Sequence, residues 1–164
     1  MLKEVGLKRI IKYFFMEIWY AVFLFPPYSP LRIFWLRLGG AKIGKNCFME
    51  RIFLMNLDRT GLAGLNVGND CYLGPLVLLD LAGQISLGNQ VTITARSSIL
   101  SHHSVGYRDH PLIKFYPKKV CHTRLESGVV LGVNSLILPG MVIGRESLVA
   151  AGAVVNHDVP VRVM

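Results

Sequence analysis

From residue 67 onward the hydrophobic positions fall on a six-residue grid. The aliphatic residues run Val67, Leu73, Leu79 and Ile85. After a two-residue slip they run Leu87, Ile93 and Ile99, and after an interruption Leu125, Leu131, Ile137, Ile143, Val149 and Val155. Aliphatic–Gly pairs recur on the grid, from Ile43-Gly44 through Val67-Gly68 and Leu87-Gly88 to Ile143-Gly144. Four residues after each aliphatic stands a mostly small side chain, such as Cys47, Cys71, Ser97, Ser135 or Ala153, with Met141 the large exception in the last run. The small residue precedes the next aliphatic by two, and two apart is the same face of a strand. The Gly, Asn and Asp between them, as in Gly68-Asn69-Asp70, are turn formers. Each hexad therefore reads as one short strand and one turn. Stacked hexads bury a ladder of aliphatic side chains, so the pattern predicts an all-β solenoid over residues 41–164. Cys47 and Cys71 fall on small interior positions, which gives them a packing role.

The first quarter of the chain has a different pattern. Residues 13–25 read YFFMEIWYAVFLF, apolar or aromatic except for Glu17, and the run ends at Pro26-Pro27. A spanning helix needs roughly 20 apolar residues, and a charge near its centre costs at least about 2.5 kcal/mol on insertion scales. A second stretch, LRIFWLRL at 31–38, sets Arg32 and Arg37 beside a face of Ile33, Phe34, Trp35 and Leu36, and Gly39-Gly40 ends it. Residues 1–39 read as two short helices that lie in the cytoplasmic-side membrane interface or dock on a partner. Packing on their own domain is the plainer alternative. No small-x-small cleavage site follows the apolar run. The expected organisation is an N-terminal helical segment over 1–40, acting as a membrane-interface anchor, and a solenoid over 41–164 with an inserted loop at about 104–122.

Composition narrows the class. The chain has 164 residues, 52% hydrophobic and 17% charged, with a mean hydropathy of +0.43. That fits one domain and excludes a disordered tail. Three cysteines exclude a disulfide scaffold and fit a reducing compartment. The net charge of +8 is concentrated at the front, where Lys3, Lys8, Arg9, Lys12, Arg32, Arg37, Lys42 and Lys45 face only Glu4 and Glu17. Basic residues interleaved with aliphatic and aromatic runs fit an anionic membrane surface better than a nucleic-acid groove, so no nucleic-acid partner is expected. No Walker loop, HExxH or paired-Cys zinc motif is present.

The hexad aliphatic–Gly–x–x–small–x occurs with GAKIGKN at 40–46 and with LVLLDLAGQISLGN at 76–89, which ILSHHS follows at 99–104. The terminal coils read LILPGMVIGRESLVAAGAVVNHDVP at 136–160. This pattern resembles the hexapeptide-repeat acyltransferases, and most closely the sugar and polysaccharide O-acetyltransferases of the maltose, galactoside and colanic-acid type. The resemblance implies a left-handed parallel β-helix with three hexads per coil and a homotrimer. It also implies acetyl transfer from acetyl-CoA to a hydroxyl of a cell-surface saccharide or its lipid-linked precursor, with no metal. The expected location is the cytoplasm, at the inner face of the cytoplasmic membrane.

The resemblance also suggests site residues. The family carries a Ser-His or Thr-His pair just before an extended loop, and here Ser101-His102 precede the interruption of the grid. His102 is the expected general base, with His103 as runner-up; a neutral imidazole accepts a proton near neutral pH. With Ile99 as the aliphatic position, His103 falls on the inward site and His102 on an outward one. Ser101 or a backbone N–H would stabilise the oxyanion. Asp80 aligns with an acceptor-pocket aspartate, which would bind the acceptor or orient the histidine. Ala151 and Asn156 match positions whose backbone contacts coenzyme A, and His157 stands where many members have Lys. Lys118, Lys119, Arg124 and Arg145 are candidates for its phosphates. The alternatives are a non-catalytic scaffold and a γ-carbonic-anhydrase-like zinc site drawn from His102, His103, His110 and His122.

Overall fold

The structure, a computed structural model, describes residues 7–24, 28–106 and 109–164. The Pro26-Pro27 break and the charges at Lys3 and Glu4 lie outside the described residues. The hexads form strands of two or three residues that build three five-stranded parallel sheets. Sheet one takes Lys42–Ile43, Leu65–Val67, Ile85–Leu87, Thr123–Leu125 and Val142–Ile143. Sheet two takes Phe48–Met49, Tyr72–Leu73, Thr92–Ile93, Val130–Leu131 and Leu148–Val149. Sheet three takes Phe53–Met55, Leu78–Asp80, Ser98–Ile99, Leu136–Ile137 and Val154–Val155. One strand from each sheet makes a rung, and the rungs stack into the left-handed parallel β-helix that the grid and the resemblance predicted.

The grid positions stack in register. Leu73 pairs with Ile93, Ile93 with Leu131, and Leu131 with Val149. All are buried, and each such side chain contributes about 1.5–3 kcal/mol when fully withdrawn from water. The small inward residues also satisfy backbone acceptors. Cys71 Sγ donates to Gly88 O at 3.1 Å, and Ser97 Oγ to Gly132 O at 2.9 Å. Burial pushes the Cys71 thiol up to about 11, so it stays neutral and packs. At the corner from sheet one to sheet two, Asn46, Asp70, Gln90 and Glu146 sit in the left-handed region, which short polar residues tolerate best. Side chains ladder along this corner: Asn69 Oδ1 accepts from Lys45 N–H, and Asn89 Oδ1 accepts from Asn69 N–H, both at 2.8 Å.

The first rung is one residue short between sheets two and three, where Met49 and Leu54 stand five apart against six for Leu73 and Leu79. All the insertions fall at one corner, where the chain passes from sheet three back to sheet one. Residues 56–64 are inserted there after the first rung, 81–84 after the second and 100–122 after the third. Arg124 of the fourth rung pairs with Val142 of the fifth, three hexads on, with nothing inserted. The two-residue slip in the sequence grid belongs to the second of these insertions.

Helices α1 (Leu7–Leu24) and α2 (Ser29–Leu38) cover the open edge of the first rung. An uncovered edge would expose a row of unpaired backbone groups. Met49 N–H donates to Ser29 Oγ at 2.8 Å, and Arg32 Nη1 donates to Met49 O at 3.0 Å. Arg37 Nε donates to Ile43 O at 3.1 Å. Tyr20 Oη donates to Ile52 O and accepts from Leu54 N–H. Met16, Ile33 and Leu36 are buried beneath this layer, and the rings of Trp19 and Trp35 stack at 4.4 Å. Arg32 therefore does not flank an outward face, as its spacing from Arg37 had suggested. It is buried, because the rung edge presents a carbonyl that needs a donor.

Candidate active site

The three insertions stack on each other at the same corner and bring together residues far apart in sequence. Thr60 Oγ1 of the first donates to Leu81 O of the second at 2.6 Å. Gly83 N–H of the second donates to Ser101 Oγ at the start of the third at 2.7 Å. A side chain at Gly83 would collide with Cys121 O, so the close approach of these segments needs glycine there. After Leu100 the chain does not turn as a hexad would. It continues into an antiparallel hairpin in which His102 faces Val120 and His103 faces Lys119.

That continuation corrects the inward–outward assignment of the two histidines. Ser101 takes the interior place and is fully buried, His102 is partly exposed and His103 is exposed. Alternation from Ile99 brings Ser101 inside, and the chain then leaves the solenoid, so His103 pairs with Lys119 in the hairpin and has no coil interior to enter. Ser101 Oγ accepts from Gly83 N–H and donates to Asp80 O. A hydroxyl so enclosed holds the corner together and is not presented to an external oxyanion.

Asp80 is the centre of the cluster. Its side chain is 1% exposed, beside 22% for His102. Its Oδ2 lies 2.6 Å from His102 Nδ1 and accepts from the backbone N–H groups of Ser101 and His102, each at 3.0 Å. Its Oδ1 accepts from Asn56 Nδ2 at 2.7 Å and from Ala82 N–H at 3.1 Å. Burial alone would push this carboxyl up. The hydrogen bonds from His102, Ser101, Asn56 and Ala82 outweigh it and hold Asp80 below the usual carboxylate range. A carboxylate at this distance makes Nδ1 the protonated nitrogen of His102 and leaves Nε2 as the proton acceptor. Of the two roles open to Asp80 in the sequence, the geometry therefore favours orienting the histidine over contacting an acceptor.

Asn56 was not singled out from the sequence. It stands in the left-handed region at the start of the first insertion, a stretch too irregular to place on the grid. Only the stacking of two rungs puts its amide on Asp80. The other histidines have separate partners. His110 Nδ1 accepts from Leu112 N–H and caps a short 3-10 turn, Pro111–Lys114. His122 Nε2 lies 2.8 Å from Ser86 Oγ, and burial together with Arg124 pushes its pKa down. Among the described residues no three His, Cys, Asp or Glu side chains are grouped to hold a metal ion.

Asn156 and His157 fall on the same corner as His102, beyond the fifth rung, and are exposed. The His157 Nδ1 lies 2.7 Å from Asn156 Oδ1. Ala151 is exposed at the corner between sheets two and three and is not brought to them. The outer face of sheet three, carrying Leu78, Ser98, Leu136 and Val154, lies between the two corners. Of the candidate phosphate ligands, Lys119, Arg124 and Arg145 are exposed, with Lys119 in the hairpin beside His103 and Arg124 on the outer face of sheet one.

Residues 122–157 match the family described as the hexapeptide repeat of succinyl-transferase. No curated protein matches the chain by sequence. Among solved structures, a hexapeptide-repeat-containing acetyltransferase from Vibrio cholerae is similar, with a TM-score of 0.78 at 19% identity over 98% of this chain and 90% of that one. That protein has also been solved with acetyl coenzyme A bound. A maltose O-acetyltransferase from Clostridium difficile gives a TM-score of 0.75 at 16% identity, over 95% of this chain and 81% of that one. A galactoside acetyltransferase in complex with coenzyme A gives 0.73 at 18% identity, over 98% and 76%. At these identities the likeness carries the fold.

Proposed function

We propose that the chain is an acyl-coenzyme-A-dependent O-acyltransferase that moves an acetyl group from acetyl-CoA to a saccharide hydroxyl. The observation that carries this reading is the 2.6 Å contact between Asp80 Oδ2 and His102 Nδ1, at the corner where the hexad array opens into its longest insertion. Asp80 fixes the tautomer, and Nε2 of His102 takes the proton of the acceptor hydroxyl as its oxygen attacks the thioester carbonyl. The tetrahedral intermediate collapses with cleavage of the carbon–sulfur bond, and the departing thiolate receives the proton from Nε2. General base catalysis of this kind contributes about 10²–10⁴-fold.

The acyl donor lies across the outer face of sheet three, touching the Ala151 corner at one end and the Asn156–His157 corner at the other. The outer columns of sheets two and three are mostly apolar, with Phe48, Tyr72, Val130 and Leu148 around Thr92 on one and Phe53, Leu78, Leu136 and Val154 around Ser98 on the other. Sheet one carries Lys42, Asn66, Ser86 and Arg124, with Val142 its one apolar member. This asymmetry supports contact between copies in a homotrimer through the face of sheet two and the part of sheet three that the donor leaves uncovered. A donor made in the cytoplasm sets the cytoplasm as the site of action.

Release of free CoA thiol from acetyl-CoA with a panel of saccharides tests the reading. His102→Ala is expected to lower kcat by about 10²–10⁴-fold, and His103→Ala by less than about threefold. Equal rates for wild type and His102→Ala refute the assignment. No turnover with any acceptor, together with no acetyl-CoA binding by calorimetry, indicates a scaffold.

A further inference from the structure

The two N-terminal helices bury a mixed face, with Met16, Ile33 and Leu36 beside polar groups, and leave many large apolar side chains outside. A helix on a globular core normally buries its apolar stripe and exposes polar side chains. Here the groups turned toward the first rung include Ser29, Arg32, the Tyr20 hydroxyl and the Lys12 ammonium, each bonded to the solenoid's backbone. The outward side of α1 carries Ile11, Phe14, Ile18 and Val22, and that of α2 carries Leu31, Phe34 and Leu38. Phe14 is 62% exposed, Ile18 66% and Phe34 60%. Side chains this large, exposed together on adjacent helices, form a patch that marks an interaction surface.

The occupant follows from charge and geometry. Arg32 is buried on the solenoid side, but Lys12 and Arg37 are exposed, and Lys8 and Arg9 add two more basic residues to the sequence of α1 against Glu17 alone, which suits an anionic surface. Among the described residues no helix is long and apolar enough to cross a membrane, so the helices would lie in its plane. A second copy is less well suited, because the apolar columns of sheets two and three already offer side-to-side surfaces.

We infer that the outward face of this two-helix cap seats in the headgroup region of an anionic bilayer, with the solenoid standing on the surface. The helices cover the open end of the first rung, so the lipid-facing plane lies across the solenoid axis. A helix layer is about 10 Å thick, and His102 leaves the third rung, two steps of about 4.8 Å further on. The site is thus held roughly 20 Å from the lipid-facing plane, within reach of a saccharide carried by the membrane. The choice of acceptor rests on the acyl-transfer reading, whereas the membrane seat does not.

Co-sedimentation of the full chain with vesicles of phosphatidylglycerol and phosphatidylcholine tests the seat. Wild type is expected to sediment with them, and more weakly with phosphatidylcholine alone. Ile18→Glu and Phe34→Glu should each cut partitioning at least about tenfold while melting near the wild-type temperature. Phe115→Glu, on a still more exposed aromatic of the hairpin, should leave it unchanged. Equal sedimentation of wild type and both cap variants overturns the proposal, as does no binding by wild type. A change in oligomeric state of the cap variants without lipid, measured by light scattering, overturns it in favour of a second copy. If CoA release fails while vesicle binding responds as described, the seat stands and the enzymatic reading falls.

Discussion

Replacing Asp80 with Asn changes one atom type at the centre of the site. The carboxylate accepts from five N–H donors: Asn56 Nδ2, Ala82 N, Ser101 N, His102 N and His102 Nδ1. In the Asp80→Asn variant one oxygen becomes an NH₂ group. Turned either way, that group faces at least two N–H donors, and each contact is lost and made repulsive. At about 1–3 kcal/mol for each buried partner left unsatisfied, the cost is roughly 2–6 kcal/mol. Turning the NH₂ toward Asn56 and Ala82 preserves a neutral bond to His102 Nδ1. Turning it the other way lets Nδ1 become the acceptor, moves the ring proton to Nε2 and abolishes the base.

The variant should therefore lose kcat by about 10²–10⁴-fold, with little change in KM for acetyl-CoA, because the buried carboxylate does not reach the donor. CoA-thiol release measures both constants, and circular dichroism monitors the fold. Combining Asp80→Asn with His102→Ala should be scarcely slower than His102→Ala alone, since the two act as one unit. A folded Asp80→Asn protein within about threefold of the wild-type kcat, or a double variant slowed by the product of both effects, would refute the orienting role.

The same carboxylate makes stability depend on pH. Its folded pKa lies below the ordinary value of about 3.9, so the unfolded chain binds the proton more readily. Its stabilisation is thus present above about pH 4 and is lost as pH falls through the folded value. The Tm gap between wild type and Asp80→Asn should narrow from pH 7 to pH 3, and a constant gap contradicts the shift. At the other end of the solenoid, Arg32→Ala removes the donor to Met49 O and the packing of its stem. It should destabilise the protein by about 3 kcal/mol, or about 6–12 °C in Tm. Calorimetry would measure this, and a shift under 2 °C would show that the cap does not depend on it.

How much of this was legible in the sequence differs along the chain. The grid from Leu125 to Val155 became strands without exception, because a parallel stack demands the same inward residue at the same point of every turn. Asn46, Asp70 and Gln90 at the corners were legible for a similar local reason, since they accept a left-handed backbone that β-branched residues resist. The candidate site was legible only in part. His102 and Asp80 were marked by resemblance, but their contact was not, and Asn56 carried no signal. These residues belong to three different rungs, and no local rule links them. The burial of Ser101 was missed because the grid assumed a turn where the strand runs on into a hairpin.

The sequence alone determined the repeat, its strands and turns, the apolar and basic head and the place where the array is interrupted. Each of these is a local property, fixed by the alternation of strand side chains, by turn sterics and by composition. The tertiary structure decided that all three irregular segments fall on one corner, so that Asn56, Asp80 and His102 meet in a buried network. It also decided which side of each N-terminal helix turns inward. Helical spacing shows that a face exists, but only the unpaired edge of the first rung, with backbone groups that must be satisfied, draws Ser29, Arg32 and Tyr20 inward and leaves the aromatic side outside.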